Sequence, residues 1–279
     1  MVAVSLKKKR RERKKKEKKK KDKKREETKE VKVKEESIKT SIAKKMFSLE
    51  PIDLYKMIIN LNASNFITTN YDYSIKKTLI EDGYSVNPGD TSEDVYSIRR
   101  HYTAEKKPNK RAKIWQIHGE LEKPKTIMLG LDHYCGSIGK MDSYLKGTYS
   151  FTKDKNSVVP KKIVEKMIGN EQYDNYSWIE LFFNTNVHII AFSLDYSETD
   201  LWWILNKRAR LIKEFNISKT NEIFFYGEID NTKENMLKDF GVQVIRISCE
   251  NNDYYHQNID MIERSEERRV GKECRSRCS

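Results

Sequence analysis

The stretch NVHIIAF, residues 186–192, decides the fold that the sequence predicts. Its apolar residues follow one another almost without alternation, which is typical of a strand buried on both faces of a parallel sheet. The residues that come soon after it, SETD at 197–200, predict a capping box that opens a helix over residues 201–215. A buried strand followed by a capped helix indicates a repeating strand–helix fold.

The same alternation of strand and helix extends in both directions from this stretch. The predicted strands cover residues 65–69, 113–117, 126–129, 222–226 and 242–247. The predicted helices cover residues 51–61, 73–82, 161–168, 176–183 and 233–240. Residues 87–111 are polar, contain prolines and a glycine, and predict a long loop. This order predicts an α/β fold with a right-handed parallel sheet and helices on both faces.

The first 36 residues consist almost entirely of Lys, Arg and Glu from residue 7 onward. Three interpretations remain open for this segment. The first is a disordered, solvated tail that cannot bury apolar surface. The second is a basic arm that binds nucleic acid or directs nuclear import. The third is an artefact of purine-rich DNA read ahead of the true start.

The far end of the chain, residues 264–279, does not resemble a protein segment. Residues 264–277 read RSEERRVGKECRSR, which is the in-frame translation of a common sequencing adapter. We therefore expect residues 264–279 to be non-native and leave them out of fold reasoning.

The basic charge of the chain belongs to its two ends. The whole chain has 55 Lys and Arg against 42 Asp and Glu, a net charge of +13. Residues 37–263 hold 30 basic and 31 acidic side chains, so this body is close to neutral. Because affinity for nucleic acid rests largely on positive charge, the sequence argues against a nucleic-acid partner for the body.

The body at residues 37–263 is long enough for one domain with its own core. No apolar run reaches the roughly 18 residues of a membrane span. Two of the four cysteines, Cys135 and Cys249, lie in the body, too far apart in sequence to indicate a disulfide framework or a zinc site. The sequence predicts a cytoplasmic domain without a membrane segment and without a metal site.

Polar residues follow three predicted strands, at the edge where parallel sheets bind their ligands. These residues are Thr68, Thr69, Asn70, Asp72, His118, Gly119 and Ser193. Each group also has a structural interpretation, because Asn70 and Asp72 suit a helix cap and His118 can simply end a strand. Ser193 lacks the second glycine of a nucleophile elbow, which argues against a serine hydrolase.

Four short segments follow one another along the body. They are ITTNYD at 67–72, WQIHG at 115–119, IMLGLDHY at 127–134 and FSLDYSETDLWWIL at 192–205. In their residues and in their order they resemble the sirtuin-like family, and within it the bacterial branch that consumes NAD. The resemblance spans most of residues 65–247 and implies a Rossmann-like sheet with NAD as the substrate.

The resemblance implies a role for each strand end. Asn70 and His118 would be catalytic, with Asn70 at the nicotinamide and His118 acting as base toward the ribose hydroxyls or the attacking water. The implied NAD-binding residues are Thr68, Thr69, Asp72, Gly119, Ser193 and Leu194. Cleavage of the nicotinamide–ribose bond expels a neutral group, so it needs held water, a carboxylate near the developing positive charge and a base near pH 7.

Three departures from the family pattern bear on these expectations. The family begins with a strand and a Gly-rich phosphate loop, and nothing before Asn65 resembles them, so we expect a truncated start that lacks both. Ala191 stands where the family has glycine. The zinc-binding cysteine pairs of the deacylating members are missing, which favours NAD hydrolysis over deacylation and predicts no zinc.

The resemblance therefore implies an NAD glycohydrolase that releases nicotinamide and ADP-ribose, acting in defence against phage. If the phosphate loop is missing, the chain as given could be inactive. Two alternatives remain: a module that senses NAD or ADP-ribose without cleaving it, and an NAD-dependent protein deacylase. A homo-oligomer or a partner domain is compatible with each of these three functions.

Overall fold

A computed structural model describes residues 20–21, 31–61, 63–89, 95–218, 221–247, 256–257 and 259–263 of the chain. The sequence predictions for residues 1–19, 22–30 and 264–279 lie outside this range. Among the helices that are described, we find none long and apolar enough to cross a membrane.

The described helices alternate with strands along the body. They are α1 over residues 31–46, α2 (Asp53–Asn60), α3 (Ser74–Glu81), α4 (Leu131–Leu145), α5 (Ile163–Met167), α6 (Leu181–Asn184), α7 (Thr199–Glu214) and α8 (Asn231–Asp239). Gly83 follows α3 with φ +85°, the left-handed conformation for which glycine ends a helix. Single 3₁₀ turns occur at Pro124–Thr126 and Trp178–Glu180.

Four strands form the first sheet, in the order β1-β4-β3-β2. They are β1 (Asn65–Thr68), β2 (Ser85–Pro88), β3 (Tyr102–Lys106) and β4 (Lys110–Gln116). β1 runs parallel to β4, and the other two pairs are antiparallel. The parallel register pairs Thr68 with Gln116, so the loops that follow β1 and β4 leave the sheet at the same edge.

The second half of the body forms a parallel three-stranded sheet in the order β7-β8-β9. Its strands are β7 (Val187–Ile189), β8 (Ile223–Gly227) and β9 (Val242–Arg246). Between the two sheets in sequence, β5 (Phe151–Lys153) and β6 (Asn156–Val158) form an antiparallel hairpin.

The predicted α/β class with Rossmann-like parallel strands is confirmed, but the parallel strands lie in two sheets. Among the described strands, β1 pairs with β4 alone and β7 with β8 alone, so each of them is a sheet edge. The β7 residues Val187, His188 and Ile189 are accordingly half-buried. An apolar run predicts a strand well, but it does not reveal whether the strand has a neighbour on each side.

Two predictions of local secondary structure were wrong. Residues 126–129 do not form a strand, because Thr126 ends a 3₁₀ turn in which the Ile127 backbone N–H donates to the Pro124 carbonyl. The predicted loop at residues 87–111 contains β3 and the first residues of β4. Only alternate residues of this hairpin are buried, including Tyr102 and Ala104, and the polar residues between them hid the pattern.

One cluster of buried side chains joins the two sheets. It contains Trp115 from β4, Tyr144 from α4, Leu201 and Leu205 from α7, and Phe225 from β8. Burial of apolar area at about 25 cal/mol per Å² makes such a cluster the main source of stability. The cluster holds the first turn of α7 close to the end of β4, where the candidate site lies.

Helix α1 packs against the loops of the first sheet. Its Ala43 is buried in a cluster with Leu121 and Ile127. Lys39 is also buried, and its Nζ lies 3.1 Å from Nε2 of His133. The helix crosses the boundary that the sequence analysis drew between residues 36 and 37.

Candidate active site

His118 lies between two carboxylates, two residues beyond the end of β4. Its side chain is 3% exposed, and Nε2 is 3.1 Å and 3.3 Å from the two carboxylate oxygens of Asp200. On the other side of the ring, Nδ1 is 3.5 Å from Oε2 of Glu198. The site thus joins the end of a strand in the first sheet to the start of α7, the helix between β7 and β8 of the second sheet.

The two carboxylates come from the first turn of α7, where the sequence predicted a capping box. Glu198 is the N-cap residue, but its carboxylate lies against the His118 ring. Asp200 accepts from the backbone N–H of Leu201 at 2.9 Å and also faces His118. The capping box is therefore wrong as a description of these side chains. The N-terminus of a helix also favours negative charge, which helps to hold both carboxylates there.

Two tyrosines complete the surroundings of Glu198. The Tyr134 hydroxyl of α4 donates to Glu198 Oε2 at 3.3 Å, and its ring meets the His118 ring edge to face at 5.3 Å. Tyr71, from the loop after β1, donates to the carbonyl of Met128 at 2.7 Å. Burial raises the pKa of both hydroxyls, and the nearby charge of Glu198 raises them further.

The pKa of the Glu198 carboxyl is raised above its ordinary value, chiefly by burial. Electrostatic attraction to His118 lowers this pKa, and repulsion from the charge of Asp200 raises it. The hydrogen bond from Tyr134 lowers it. A carboxyl group poised in this way can take up and release a proton closer to neutral pH than an exposed glutamate does.

The loop after β1 carries the predicted nicotinamide-binding residues. Asn70 is exposed, and its backbone N–H donates to Oγ1 of Thr68 at 3.0 Å. Asp72 accepts from the backbone N–H of Ser74 at 2.8 Å in a turn just before α3, but it is not the N-cap residue of that helix. Thr69 is half-buried. The register of β1 and β4 brings Asn70 and His118 to the same edge of the sheet.

Gly119 has a structural role that is clear from its backbone. Its φ is +108°, and a Cβ at this position would lie 2.4 Å from the carbonyl oxygen of Thr126. Only glycine fits so close to another segment of backbone. Its predicted contact with NAD stays a prediction.

The turn after β7 holds the other predicted binding residues. Ser193 is exposed and its carbonyl accepts from Nζ of Lys233 at 3.2 Å, whereas Leu194 is fully buried. Ala191 and Leu194 both have left-handed backbone, with φ +52° and +45°. The turn is therefore tightly bent at the carboxyl end of β7, where ligands of parallel sheets bind.

The structure brings Asn70, Asp72 and His118 to one sheet edge and adds residues that the sequence analysis missed. The missed residues are Tyr71, Tyr134, Glu198 and Asp200. The available signal for the last two was a pair of acidic residues two positions apart just after a strand end, but the same pattern also suits a helix cap.

His118, Glu198 and Asp200 could also hold a metal ion. One ligand atom from each side chain lies within 4.8 Å of the others. One imidazole nitrogen and two carboxylates suit a divalent cation such as Mn²⁺ or Zn²⁺. The sequence analysis predicted no metal here because it did not place these residues together.

Comparison with known protein families gives one match. Residues 64–176 match the family described as the SIR2-like domain, so this part of the chain is similar to that family. The match covers β1 through the loop before Trp178 and so includes Asn70, Asp72 and His118, while Glu198 and Asp200 lie beyond it. No curated protein matches the chain. Members of the SIR2-like family use NAD as a substrate, and the match is compatible with an NAD-related activity.

Proposed function

We propose that the protein is an NAD glycohydrolase that releases nicotinamide and ADP-ribose. The observation that carries the proposal is the position of His118, buried at the end of β4 between two carboxylates. The family match over residues 64–176 supports NAD as the molecule that is cleaved. His118 and its carboxylates supply the proton acceptor that hydrolysis needs.

Asn70 and Asp72 are assigned to the nicotinamide end of NAD. Asn70 is exposed at the same sheet edge as His118, where an amide can hold water or the carboxamide of nicotinamide. Ser193 and Leu194 are assigned to the adenosine end, because they follow β7 at the carboxyl edge of the second sheet. Thr68, Thr69 and Gly119 are assigned to NAD binding as well, because they lie at the ends of β1 and β4, at the same sheet edge.

The proposal is tested by measuring nicotinamide release from NAD by the purified chain. His118→Ala and Asn70→Ala should each lower the rate by about 10²-fold or more, since each removes a group that acts in the transition state. His256→Ala, at an exposed position, is the control and should keep the full rate. Unchanged turnover in both site variants would rule out the assignment.

A sensor that binds NAD or ADP-ribose without cleaving it gives a different result. In that case NAD would raise the Tm of the chain, because a ligand that binds only the folded state stabilises it. No nicotinamide would appear. Nicotinamide release that depends on an added acetyl-lysine peptide would instead indicate a deacylase.

A role in defence against phage is part of the same proposal. NAD should fall in bacteria that carry the active protein when they are infected, and should stay level in cells with the His118→Ala variant. Equal NAD levels in the two infected cultures would contradict the role in defence while leaving the enzymatic activity standing.

A further inference from the structure

The three ionisable side chains of the site differ in their access to solvent. Exposure of the side chain is 0% for Asp200, 3% for His118 and 18% for Glu198. They therefore form a short row that leads from the interior toward the surface, with Glu198 at the outer end. A substrate or water molecule that approaches from solvent meets Glu198 before it meets His118.

Both ring nitrogens of His118 already have partners. Asp200 takes Nε2, and because a carboxylate only accepts, Nε2 carries the hydrogen and donates it. Nδ1 and Glu198 Oε2 then face each other at 3.5 Å. His118 cannot use either nitrogen on a substrate without giving up one of these contacts.

Asp200 is held firmly at the inner end of the row. Two donors converge on its carboxylate, the Leu201 backbone N–H at 2.9 Å and His118 Nε2 at 3.1 Å. Tyr134 closes the side of the ring with an edge-to-face contact. The imidazole is therefore fixed in position and in tautomer, as is required of a group that passes charge to a neighbour.

We propose that Glu198 is the side chain that contacts the reacting water, with His118 behind it as proton partner and Asp200 as the residue that positions the imidazole. This inference rests on the proposed NAD hydrolysis. It moves the contact with the substrate from the histidine that the family resemblance implies to a glutamate at the start of α7.

The reaction balances with this assignment. The oxygen of water forms a bond to C1′ of the ribose as the C1′–N bond breaks, and the bonding electron pair leaves with nicotinamide, which becomes neutral. One proton of the water passes to the Glu198 carboxylate, which becomes a neutral carboxyl group facing Nδ1 of His118. That proton then leaves to solvent, so NAD and water give nicotinamide, ADP-ribose and one proton.

The assignment is tested with three variants of the full chain: Glu198→Gln, His118→Gln and Asp200→Asn. Glu198→Gln and Asp200→Asn should each lower kcat by about 10²- to 10⁴-fold, the range expected for loss of a general base or of its positioning. The Kd for NAD should stay within about threefold of the wild-type value. Glu214→Gln on the same helix and Asp239→Asn on α8 are exposed controls and should keep full activity.

A measurement that does not need turnover separates the inference from the proposed function. The ¹⁵N chemical shifts of the His118 ring should report hydrogen on Nε2 in the wild type and a mixture of tautomers in Asp200→Asn. Full turnover in Glu198→Gln together with lost turnover in His118→Gln would overturn the inference and leave NAD hydrolysis standing. Absence of NAD cleavage by the wild type would contradict both the proposed hydrolysis and the inference about Glu198. The ring shifts would still report whether Asp200 holds the His118 ring in one tautomer.

Metal chemistry at the same three residues gives its own signature. EDTA should leave the rate unchanged if the row carries protons. If EDTA abolishes activity and Mn²⁺ or Zn²⁺ restores it, the three residues are metal ligands and the proton-carrying role of Glu198 is overturned.

Discussion

Ala191 occupies a backbone conformation that suits glycine better. Its φ is +52°, in the left-handed region, and it is exposed after β7. A Cβ in this region costs about 1–2 kcal/mol relative to ordinary helical backbone. The sequence marked the position as a departure from the glycine of the resembled family, and the structure explains why glycine is favoured there.

Ala191→Gly should therefore stabilise the chain. We expect a gain of about 0.5–1 kcal/mol, because relief of the strained conformation exceeds the extra entropy that glycine adds to the unfolded state. Urea denaturation followed by circular dichroism measures the change. Ala209→Gly, in the middle of α7, is the matched control and should destabilise by about 1 kcal/mol. A loss of stability in Ala191→Gly would mean that the turn is not left-handed in solution.

Residue types alone also left His118 undecided. A histidine followed by glycine at a strand end is more often a polar residue that ends the strand than a catalyst. Its contacts with Glu198 and Asp200 come from residues 80 or more positions later in the chain, and no local pattern predicts them.

At the scale of single elements, Gln116 ties the loop after β1 to β4. Its side chain is buried, and Nε2 donates to the backbone carbonyls of Asp72 at 2.8 Å and Tyr71 at 3.4 Å. These bonds hold the loop that carries Asn70 at the same sheet edge as His118. The amide of Gln116 thus positions the loop that carries the predicted nicotinamide-binding residues.

Gln116→Met keeps the size of the side chain and removes both donors. We expect a loss of about 1–3 kcal/mol, since two partly buried carbonyls lose their partner, and faster hydrogen exchange in residues 69–73. Gln243→Met is the control, because Gln243 makes a single bond to Glu222 at the surface and its loss should cost less than about 0.5 kcal/mol. Equal effects of the two substitutions would show that Gln116 does not anchor the loop.

Helix α4 shows how an element escapes prediction from sequence. The buried positions of LDHYCGSIGKMDSYL have helical spacing, but two of them are polar, His133 and Ser137, beside Met141, Tyr144 and Leu145. Two glycines within the helix further lower its apparent propensity. Its burial comes from packing against α7, which only the assembled fold supplies.

At the scale of the whole molecule, the excess of basic over acidic side chains is distributed unevenly along the chain. The excess positive charge lies in the ends, while residues 37–263 are close to neutral. The candidate site is surrounded by carboxylates and tyrosines, an unfavourable surface for a polyanion. Any binding of nucleic acid should therefore follow the N-terminal segment.

Removal of residues 1–30 should abolish binding to duplex DNA and preserve α1. The full chain should bind weakly at 50 mM salt and lose most of this affinity at 200 mM, because binding through phosphate contacts releases counterions. Fluorescence anisotropy with a labelled duplex measures both. Salt-sensitive binding that survives the truncation would place a nucleic-acid surface on the body.

Much of the architecture could be predicted from the sequence. The periodic segments yielded β1, α3, β4, β7, α7, β8, α8 and β9 within a few residues, because each combines a clear apolar pattern with a polar or glycine boundary. The strand ends also pointed to Asn70, Asp72 and His118 as residues of one edge, and the register of β1 and β4 agrees with that expectation.

The tertiary structure alone decided how those parts are used. It divided the parallel strands between two sheets, buried a face of α4 that includes polar residues, and turned Glu198 and Asp200 from helix caps into partners of His118. The physical reason is that propensity and periodicity are local properties, whereas the environment of a buried imidazole depends on which distant carboxylates the packed core brings within hydrogen-bonding distance. Local sequence therefore determined the strand and helix that flank the site, and packing determined the chemistry between them.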